Sequence, residues 1–222
     1  NVFIAAPASL ALSGIPAAPL TAGSPFNTTV TALNACSTPA VTPNFGRETT
    51  PATVALASSN PLPALGNATP INQNVSGFNA GAASTNLTWN EVGTIDLTAS
   101  VTDYLGSGVS ATGSQSAVGR FRPAYFDTTR VEGCNSFTYS GQPFAVTVTA
   151  KAAGGVNTTA NYAGATWARL VTVSDANGGT GTWSANTIAA TSFSGGVGVA
   201  PAASYTFLAK ATAPAAIRLR SR

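Results

Sequence analysis

The sequence predicts an all-β fold, and three observations lead to that prediction. Short stretches alternate between apolar and small polar residues with a period of two, which is typical of half-buried antiparallel strands. Turn signals rich in Gly, Pro and Asn recur every 8–12 residues or so, and no stretch has the apolar period of a helix longer than one turn. About seven short strands per roughly 100 residues indicate an immunoglobulin-like antiparallel β-sandwich.

An internal repeat predicts two such sandwiches in tandem. Residues 23–32 (GSPFNTTVTA) recur as residues 141–150 (GQPFAVTVTA), so that Phe26 corresponds to Phe144. After a one-residue slip, Thr42, Asn44 and Phe45 recur as Thr159, Asn161 and Tyr162. A repeat of this length is a domain rather than a solenoid unit. We therefore predict one immunoglobulin-like module at 1–118 and a second at 119–222.

The first module begins with a Pro-rich stretch, 2–20, where we predict an edge strand, because proline is tolerated at sheet edges. Its clearest strand is 25–33, with Phe26, Val30 and Ala32 on the inner face. Residues 57–77 are rich in Pro, Asn and Ser and are predicted to form a surface loop, and 107–119 a linker or a hairpin turn. The other predicted strands are 52–56, 86–89, 94–101 and 109–111.

The second module follows the same plan. Its clearest strand is 144–151, and residues 175–179 (DANGG) predict a tight turn. The last residues, 217–222, look like a strand cut short. The other predicted strands are 136–139, 167–173, 182–185, 188–193, 205–209 and 216–220.

Each module carries an Asn followed by an aromatic residue and a nearby Gly, at 43–46 and 160–164. We interpret this pattern as a tight turn that places Phe45 or Tyr162 in the core. The alternative is an exposed aromatic side chain beside an amide, as in a sugar contact.

An aromatic and cationic cluster lies where the first module meets the second. We predict an interdomain strand whose aromatic rings seal the junction, and a ligand site is the alternative. The junction residues are Arg120, Phe121, Arg122, Tyr125 and Phe126.

Composition narrows the possible chemistry. Charged residues are 8% of the chain, the net charge is +3, and there is no His, whereas about 25% of an ordinary soluble protein is charged. Nucleophilic catalysis assisted by His and His-ligated metal sites are excluded, and the seven acidic residues are scattered. We predict no enzyme, no cofactor, no metal and no nucleic-acid partner, and no segment is apolar enough to span a membrane.

Cys36 and Cys134 are the only two cysteines. An exported protein with two cysteines usually pairs them. In a straight tandem they would be about a domain length apart, far beyond the roughly 4.4–6.8 Å between Cα atoms that a disulfide allows. Either the modules fold back on each other, or the thiols are free, or they pair between chains; we predict pairing, within or between chains.

The residues around the junction resemble a known family. Residues 118–127 (VGRFRPAYFD), 133–144 (GCNSFTYSGQPF), 146–150 with 161–164, and 211–220 (ATAPAAIRLR) are similar to MshQ-like proteins. These are encoded with the mannose-sensitive haemagglutinin type IV pilus system of Gram-negative bacteria. The resemblance implies an exported, surface or pilus-associated protein, and it carries over no catalytic residues.

Together these observations favour a non-enzymatic structural protein at the cell surface, a pilus-associated or fibre-forming subunit whose partners are other protein subunits. The alternative is an adhesin or carbohydrate-binding module that contacts glycans through loop aromatics. Trp89, Trp167 and Trp183 are interpreted as core or inter-sheet packing rather than as a sugar platform.

Overall fold

The structure, a computed structural model, describes residues 5–64, 66–209 and 216–222. It is built almost entirely of antiparallel strands and forms two compact units, Asn1–Phe121 and Arg122–Arg222. The helices of the described residues are single turns, α1 (Gly164–Trp167), η1 (Tyr104–Gly106) and η2 (Ala190–Ser192). None of them has the length and hydropathy of a membrane span. The prediction of an all-β fold is confirmed.

In the part of the first unit that the structure describes, eight strands form two antiparallel sheets. The smaller sheet has the order β1-β3-β6, and the larger has the order β2-β8-β7-β4-β5. The strands are β1 (Ser9–Ser13), β2 (Leu20–Thr21), β3 (Pro25–Leu33), β4 (Val54–Leu62), β5 (Asn72–Val75), β6 (Ala82–Thr88), β7 (Gly93–Val101) and β8 (Ala111–Arg122).

The core of this unit lies between its two sheets. Strand β3 has the predicted bounds, and its inner face, with Phe26, Val30 and Ala32, is buried as the alternation predicts. Leu56 and Leu97, from the larger sheet, contribute to the same apolar cluster and are fully buried. The burial of both inner faces against each other is the main stabilising contribution to the unit.

The described residues of the second unit form seven strands, again in two antiparallel sheets. One has the order β12-β14-β10-β9 and the other the order β13-β11-β15. The strands are β9 (Tyr125–Val131), β10 (Phe144–Lys151), β11 (Val171–Asp175), β12 (Thr182–Ser184), β13 (Thr187–Ile188), β14 (Val197–Thr206) and β15 (Leu219–Ser221).

The repeat seen in the sequence is also a repeat of hydrogen bonds. In the first unit, Thr42 donates its backbone N–H to Ala32 (2.9 Å), and Ala32 donates to Gly81 (2.9 Å). In the second unit, Thr159 donates to Ala150 (2.9 Å), and Ala150 donates to Gly196 (2.8 Å). The same corner is therefore built twice from corresponding residues.

The glycine of each corner closes a two-residue hairpin. The first hairpin turns at Ala80 and Gly81, with φ of +49° and +80°, and the second at Gly195 and Gly196, with φ of +56° and +81°. Positive φ at both central residues is the geometry of a type I′ turn, which suits the twist of a hairpin.

Several predicted elements are wrong. Residues 57–77 are not one loop, since β4 runs on to Leu62 and β5 follows. Residues 107–119 are neither a linker nor a turn, because most of them belong to β8, the longest strand. Of the other predictions, 136–139 forms no strand, 167–170 precedes β11, and half of 188–193 is a single 3-10 turn. The edge strand predicted within 2–20 and the segment 211–220 fall partly outside the described residues.

Candidate functional site

The structure distributes the predicted junction residues between the two units. Phe121 is fully buried in the first unit, where its ring centroid lies 5.5 Å from that of Phe26. Phe126 contacts the rings of Tyr162 and Phe193 within the second unit, at 5.5 and 6.5 Å. Tyr125 is largely exposed. Arg120 and Arg122 belong to β8. Phe121 and Phe126 thus pack against rings of different units, and the sealed junction stays a prediction.

The two cysteines are free thiols in this structure. Cys36 is exposed, and Cys134 is partly buried. The thiol sulfur of Cys134 accepts a hydrogen bond from Gln142 Nε2 at 3.1 Å. Pairing of the cysteines, within or between chains, stays a prediction.

The aromatic turns are confirmed as core features. Phe45 and Tyr162 are buried, and each donates its backbone N–H to the carbonyl of the repeated Thr, Thr42 or Thr159. Exposed sugar contacts by these two rings are therefore excluded. Trp89 is buried as well, and Trp167 and Trp183 are half-buried.

Exposed aromatic residues occur instead on a loop of the second unit, residues 132–142, which we call the aromatic loop. Phe137 is 49% exposed, Tyr139 is 64% exposed, and their rings meet edge to face with centroids 5.0 Å apart. Cys134 and Phe137 exchange two backbone hydrogen bonds of 2.9 Å, which closes a tight turn at the start of the loop. Gln142 Oε1 accepts the backbone N–H of Tyr139 at 2.9 Å. Side-chain and backbone hydrogen bonds thus hold the two rings at the surface.

The aromatic loop forms one wall of a cavity of 350 Å³. Strands β9, β10 and β14 supply further walls, and the start of the last strand supplies the rest. Most of the lining side chains are aromatic or aliphatic, namely Phe137, Tyr139, Phe144, Tyr205, Phe207, Ala216, Ile217 and Leu219. The remaining lining residues are Arg130, Glu132 and Thr138.

Three polar side chains of the cavity form one cluster. Arg130 Nε donates to Glu132 Oε1, and the Thr138 hydroxyl donates to Glu132 Oε2. These two hydrogen bonds, first that from Thr138 and then that from Arg130, lower the pKa of Glu132 below its usual 4.5. The carboxylate is therefore ionised and already paired at neutral pH, and among the described lining residues it is the only acid. Among the described residues, no group of three His, Cys, Asp or Glu side chains could hold a metal ion.

A second acidic group, in the first unit, organises a loop rather than a cavity. Glu48 accepts the backbone N–H of Gly46 (3.0 Å) and of Ala52 (3.1 Å), and the Tyr104 hydroxyl donates to Glu48 Oε1. Burial raises the pKa of Glu48, but these hydrogen bonds outweigh it, and the pKa is lowered. Burial, together with the hydrogen bond to Glu48, raises the pKa of Tyr104 to about 12. The Tyr104 ring stacks on Phe45, with centroids 5.6 Å apart, so the pair ties the repeated turn to η1.

Sequence reasoning missed the cavity, because it treated residues 136–139 as a strand and Phe144 only as core. The available signal was the pair Asn135 and Ser136 between Cys134 and Phe137. Asn tolerates positive φ, and Asn135 has φ of +48°. A turn at this position places Phe137 and Tyr139 in a loop rather than in a strand.

Comparison with known proteins gives two family matches. Residues 6–88 match the second domain of DUF6701, and residues 91–220 match its third domain. The boundary between the two matches lies between β6 and β7, although β7 pairs with β4 inside the first unit. No solved structure and no curated protein matches the chain. Since the third-domain match alone spans more than half of the chain, the protein belongs to the DUF6701 family.

Proposed function

We propose that the protein is a non-enzymatic structural subunit of the cell surface, pilus-associated or fibre-forming, which acts through contacts with other protein subunits. The observation that carries this proposal is the repeated corner, Thr42 with Ala32 and Gly81, and Thr159 with Ala150 and Gly196. Repetition of one β-unit along a chain is an economical way to build an extended stalk or filament. Exposed strand edges in such units can pair with a neighbouring molecule.

The surface chemistry supports an extracellular location. Only 8% of the residues are charged, and the outward residues of β3 and β10 include Thr29, Thr31, Thr147 and Thr149. On β3, the Thr29 hydroxyl is hydrogen-bonded to the Ser84 hydroxyl at 2.8 Å. Hydroxyl groups therefore supply much of the solvation that charged side chains supply in most soluble proteins.

The strand order supports an immunoglobulin-like assignment for the first unit. In an immunoglobulin domain, strands A, B and E share one sheet, and strands G, F and C share the other. The orders β1-β3-β6 and β8-β7-β4-β5 correspond to A-B-E and to G-F-C-C′.

The sequence resemblance described above supports a relationship to MshQ-like, pilus-associated proteins. The similarity is most specific between residues 119 and 164, and this stretch lies within the third-domain match to DUF6701. The stretch also includes the aromatic loop, so the resemblance covers the most exposed aromatic side chains of the second unit. An exported protein of a Gram-negative bacterium follows from this relationship.

The aromatic loop favours a second candidate function, glycan binding. Tyr139 and Phe137 expose ring surface beside polar groups of Arg130 and Glu132, and aromatic faces with nearby hydrogen-bonding groups suit sugar recognition. An adhesin would use the cavity for this purpose.

Electron microscopy of negatively stained protein tests the first candidate, with the same sample run on a non-reducing gel. We expect ordered fibres, or a ladder of species that collapses on reduction and is lost in the double variant C36S/C134S. Isolated particles without a ladder at all concentrations would contradict a fibre-forming role.

A glycan array with the full chain tests the second candidate. Specific binding that is lost in Tyr139→Ala, and retained when the exposed Leu208 of the same unit is changed to Ala, would support an adhesin. Uniform absence of binding would leave the structural role as the better account.

A further inference from the structure

The last strand of the second unit corresponds to β7 of the first. In the pair that β4 forms with β7, Ala57 lies opposite Thr98 and Ser58 lies opposite Leu97. In the pair that β11 forms with β15, Ser174 lies opposite Arg220 and Asp175 lies opposite Leu219. Because β4 and β11 are related by the repeat, β15 is the counterpart of β7, and Leu219 is the counterpart of Leu97.

The two strands differ in what lies beside them. Strand β7 pairs with β4 on one side and with β8 on the other. Among the described residues, β15 pairs with β11 alone and forms an edge of its sheet. In the described part of the second unit, this edge of β15 is therefore unpaired, whereas the first unit carries β8 at the corresponding place.

The backbone of this edge is oriented for strand pairing. Arg222 and Thr172 exchange two hydrogen bonds (2.9 and 3.2 Å), and Ala176 donates to the Arg218 carbonyl (2.6 Å). In an antiparallel pair, alternate residues direct both backbone groups toward the partner strand. Leu219 and Ser221 therefore direct their N–H and C=O groups away from β11, as Leu97 and Ala99 do toward β8.

The cavity of the second unit lies where the first unit places a side chain of β8. In the first unit, Phe121 of β8 is fully buried, and its ring lies against Phe26. The counterpart of Phe26 is Phe144, which lines the 350 Å³ cavity beside Ile217 and Leu219. An aromatic side chain that occupied this cavity would reproduce the contact between Phe121 and Phe26.

Burial of the inward side chains agrees with a missing neighbour. Ile95 and Leu97 of β7 are 1% and 0% exposed, whereas their counterparts Ile217 and Leu219 are only partly buried. The same holds for the first strand of each unit, since Leu10 is 4% exposed and its counterpart Phe126 is partly buried.

We propose that the outer edge of β15 binds an extended polypeptide strand that is not part of residues 1–222 and has the side-chain pattern of β8. The strand lies antiparallel to β15 and inserts an aromatic side chain into the cavity beside Phe144. This inference rests on the proposed assembly function and names the surface that assembly would use.

The geometry of the first unit defines the register of the bound strand. Gln115 lies opposite Leu97, and Phe121 lies opposite Gly93. The residue opposite Leu219 therefore corresponds to Gln115, and the inserted aromatic follows it in the direction of the cavity. Small or polar residues suit the positions between the residue opposite Leu219 and the inserted aromatic residue, as Ser116 and Ala117 do in β8.

A labelled peptide of residues 111–122 (ATGSQSAVGRFR) is the probe, titrated against the full chain by fluorescence anisotropy. We expect saturable binding, which weakens at least about tenfold, or about 1.4 kcal/mol, when the Phe121 position of the peptide is Ser. Hydrogen exchange of the unmodified protein should show new protection at the amides of Leu219 and Ser221 when the peptide is bound.

The matched protein variants are Ser221→Pro and Ser221→Ala. Proline removes the outward N–H at a position where edge strands tolerate it, whereas alanine keeps the N–H and removes only the hydroxyl that bonds to Thr128. We expect S221A to bind like the unmodified protein and S221P to bind at least about tenfold more weakly. Where S221P fails to fold, the exchange measurement decides alone.

Three results would overturn the proposal: no peptide binding, equal binding by S221P and S221A, or no protection at β15. Sedimentation that shows the unmodified chain dimerising through this edge, with dimerisation lost in S221P, would also overturn it, because a second copy would then be the occupant. Fibres of the unmodified protein without peptide binding at β15 would remove this inference and leave the assembly function standing. Peptide binding without any fibres would do the reverse.

Discussion

The hairpin of the second unit allows a close test of why Gly196 is glycine. Its φ is +81°, and a Cβ atom added there would lie 2.5 Å from the carbonyl oxygen of Thr159. The neighbouring Gly195 has φ of +56°, and a Cβ atom there would meet nothing within 4 Å. The first unit already carries alanine at the position of Gly195, since Ala80 has φ of +49°. Gly196→Ala and Gly195→Ala are therefore variants that share the positive φ and differ in the clash.

The expected magnitudes follow from these two features. A non-glycine residue in the left-handed region costs about 1–2 kcal/mol, which applies to both variants. In G196A the backbone must also move, because real Cβ atoms do not approach an oxygen to 2.5 Å. That movement weakens the bond from Ala150 to the Gly196 carbonyl (2.8 Å), and a buried group left unpaired costs about 1–3 kcal/mol. We expect G196A to be about 2–4 kcal/mol less stable than G195A.

Differential scanning calorimetry of the full chain, with the transition of the second unit followed, is the assay. At about 4–8 °C per kcal/mol for a domain of this size, G196A should melt about 10 °C or more below G195A. Equal melting temperatures for the two variants would refute the explanation based on the close approach of Thr159. A large loss in G195A would refute the comparison with Ala80.

Phe121→Ala should destabilise the first unit by about 3–5 kcal/mol, since the ring is fully buried; chemical denaturation monitors this, and an unchanged midpoint would contradict the assignment of Phe121 to that core. Glu48→Gln should flatten the loss of stability below pH 4.5, because Glu48 has a lowered pKa and stabilises the fold only when ionised. Tyr104→Phe should remove the loss of stability between pH 10 and 12, since the pKa of Tyr104 is raised from 10.0 to about 12 and the folded state favours the protonated hydroxyl. Denaturation midpoints measured across pH test the Glu48 and the Tyr104 variants, and unchanged pH profiles would contradict the contacts of Glu48. A fragment of residues 1–122 should fold with a β circular dichroism spectrum, whereas 1–90 should not, because it lacks β7 and β8 of the larger sheet.

The sequence predicts best the elements that local pattern alone determines. The bounds of β3 and β10 and the buried rings of Phe45 and Tyr162 follow from alternation and from turn residues. Strand β8 was missed because its Gly and Ser residues resemble a linker. A Cβ atom at Gly113 would lie 1.9 Å from the Leu10 carbonyl oxygen, so this glycine reflects a close approach of another strand and not flexibility.

The predicted end of strand β4, at residue 56, is too early for a related reason. Asn60 has φ of +47°, and the pairing register shifts between Ser59 and Leu62, as at a β-bulge. Local pattern treats such an irregularity as the end of a strand. The cavity could not be predicted because it depends on which neighbour β15 lacks, a property of the sheet order rather than of any one stretch.

The position of the family boundary has a consequence for synthesis at the ribosome. Residues matched to the second domain end at 88, yet β4 pairs with β7 on the side that β5 leaves uncovered, and β7 pairs on its other side with β8. As the chain emerges from its N-terminus, the edge of β4 that β7 covers in the native sheet stays bare until residues 93–101 have left the exit tunnel. A translational pause within residues 60–100 would prolong this vulnerable state, whereas a pause after Arg122 would let the first unit close before the second begins to form.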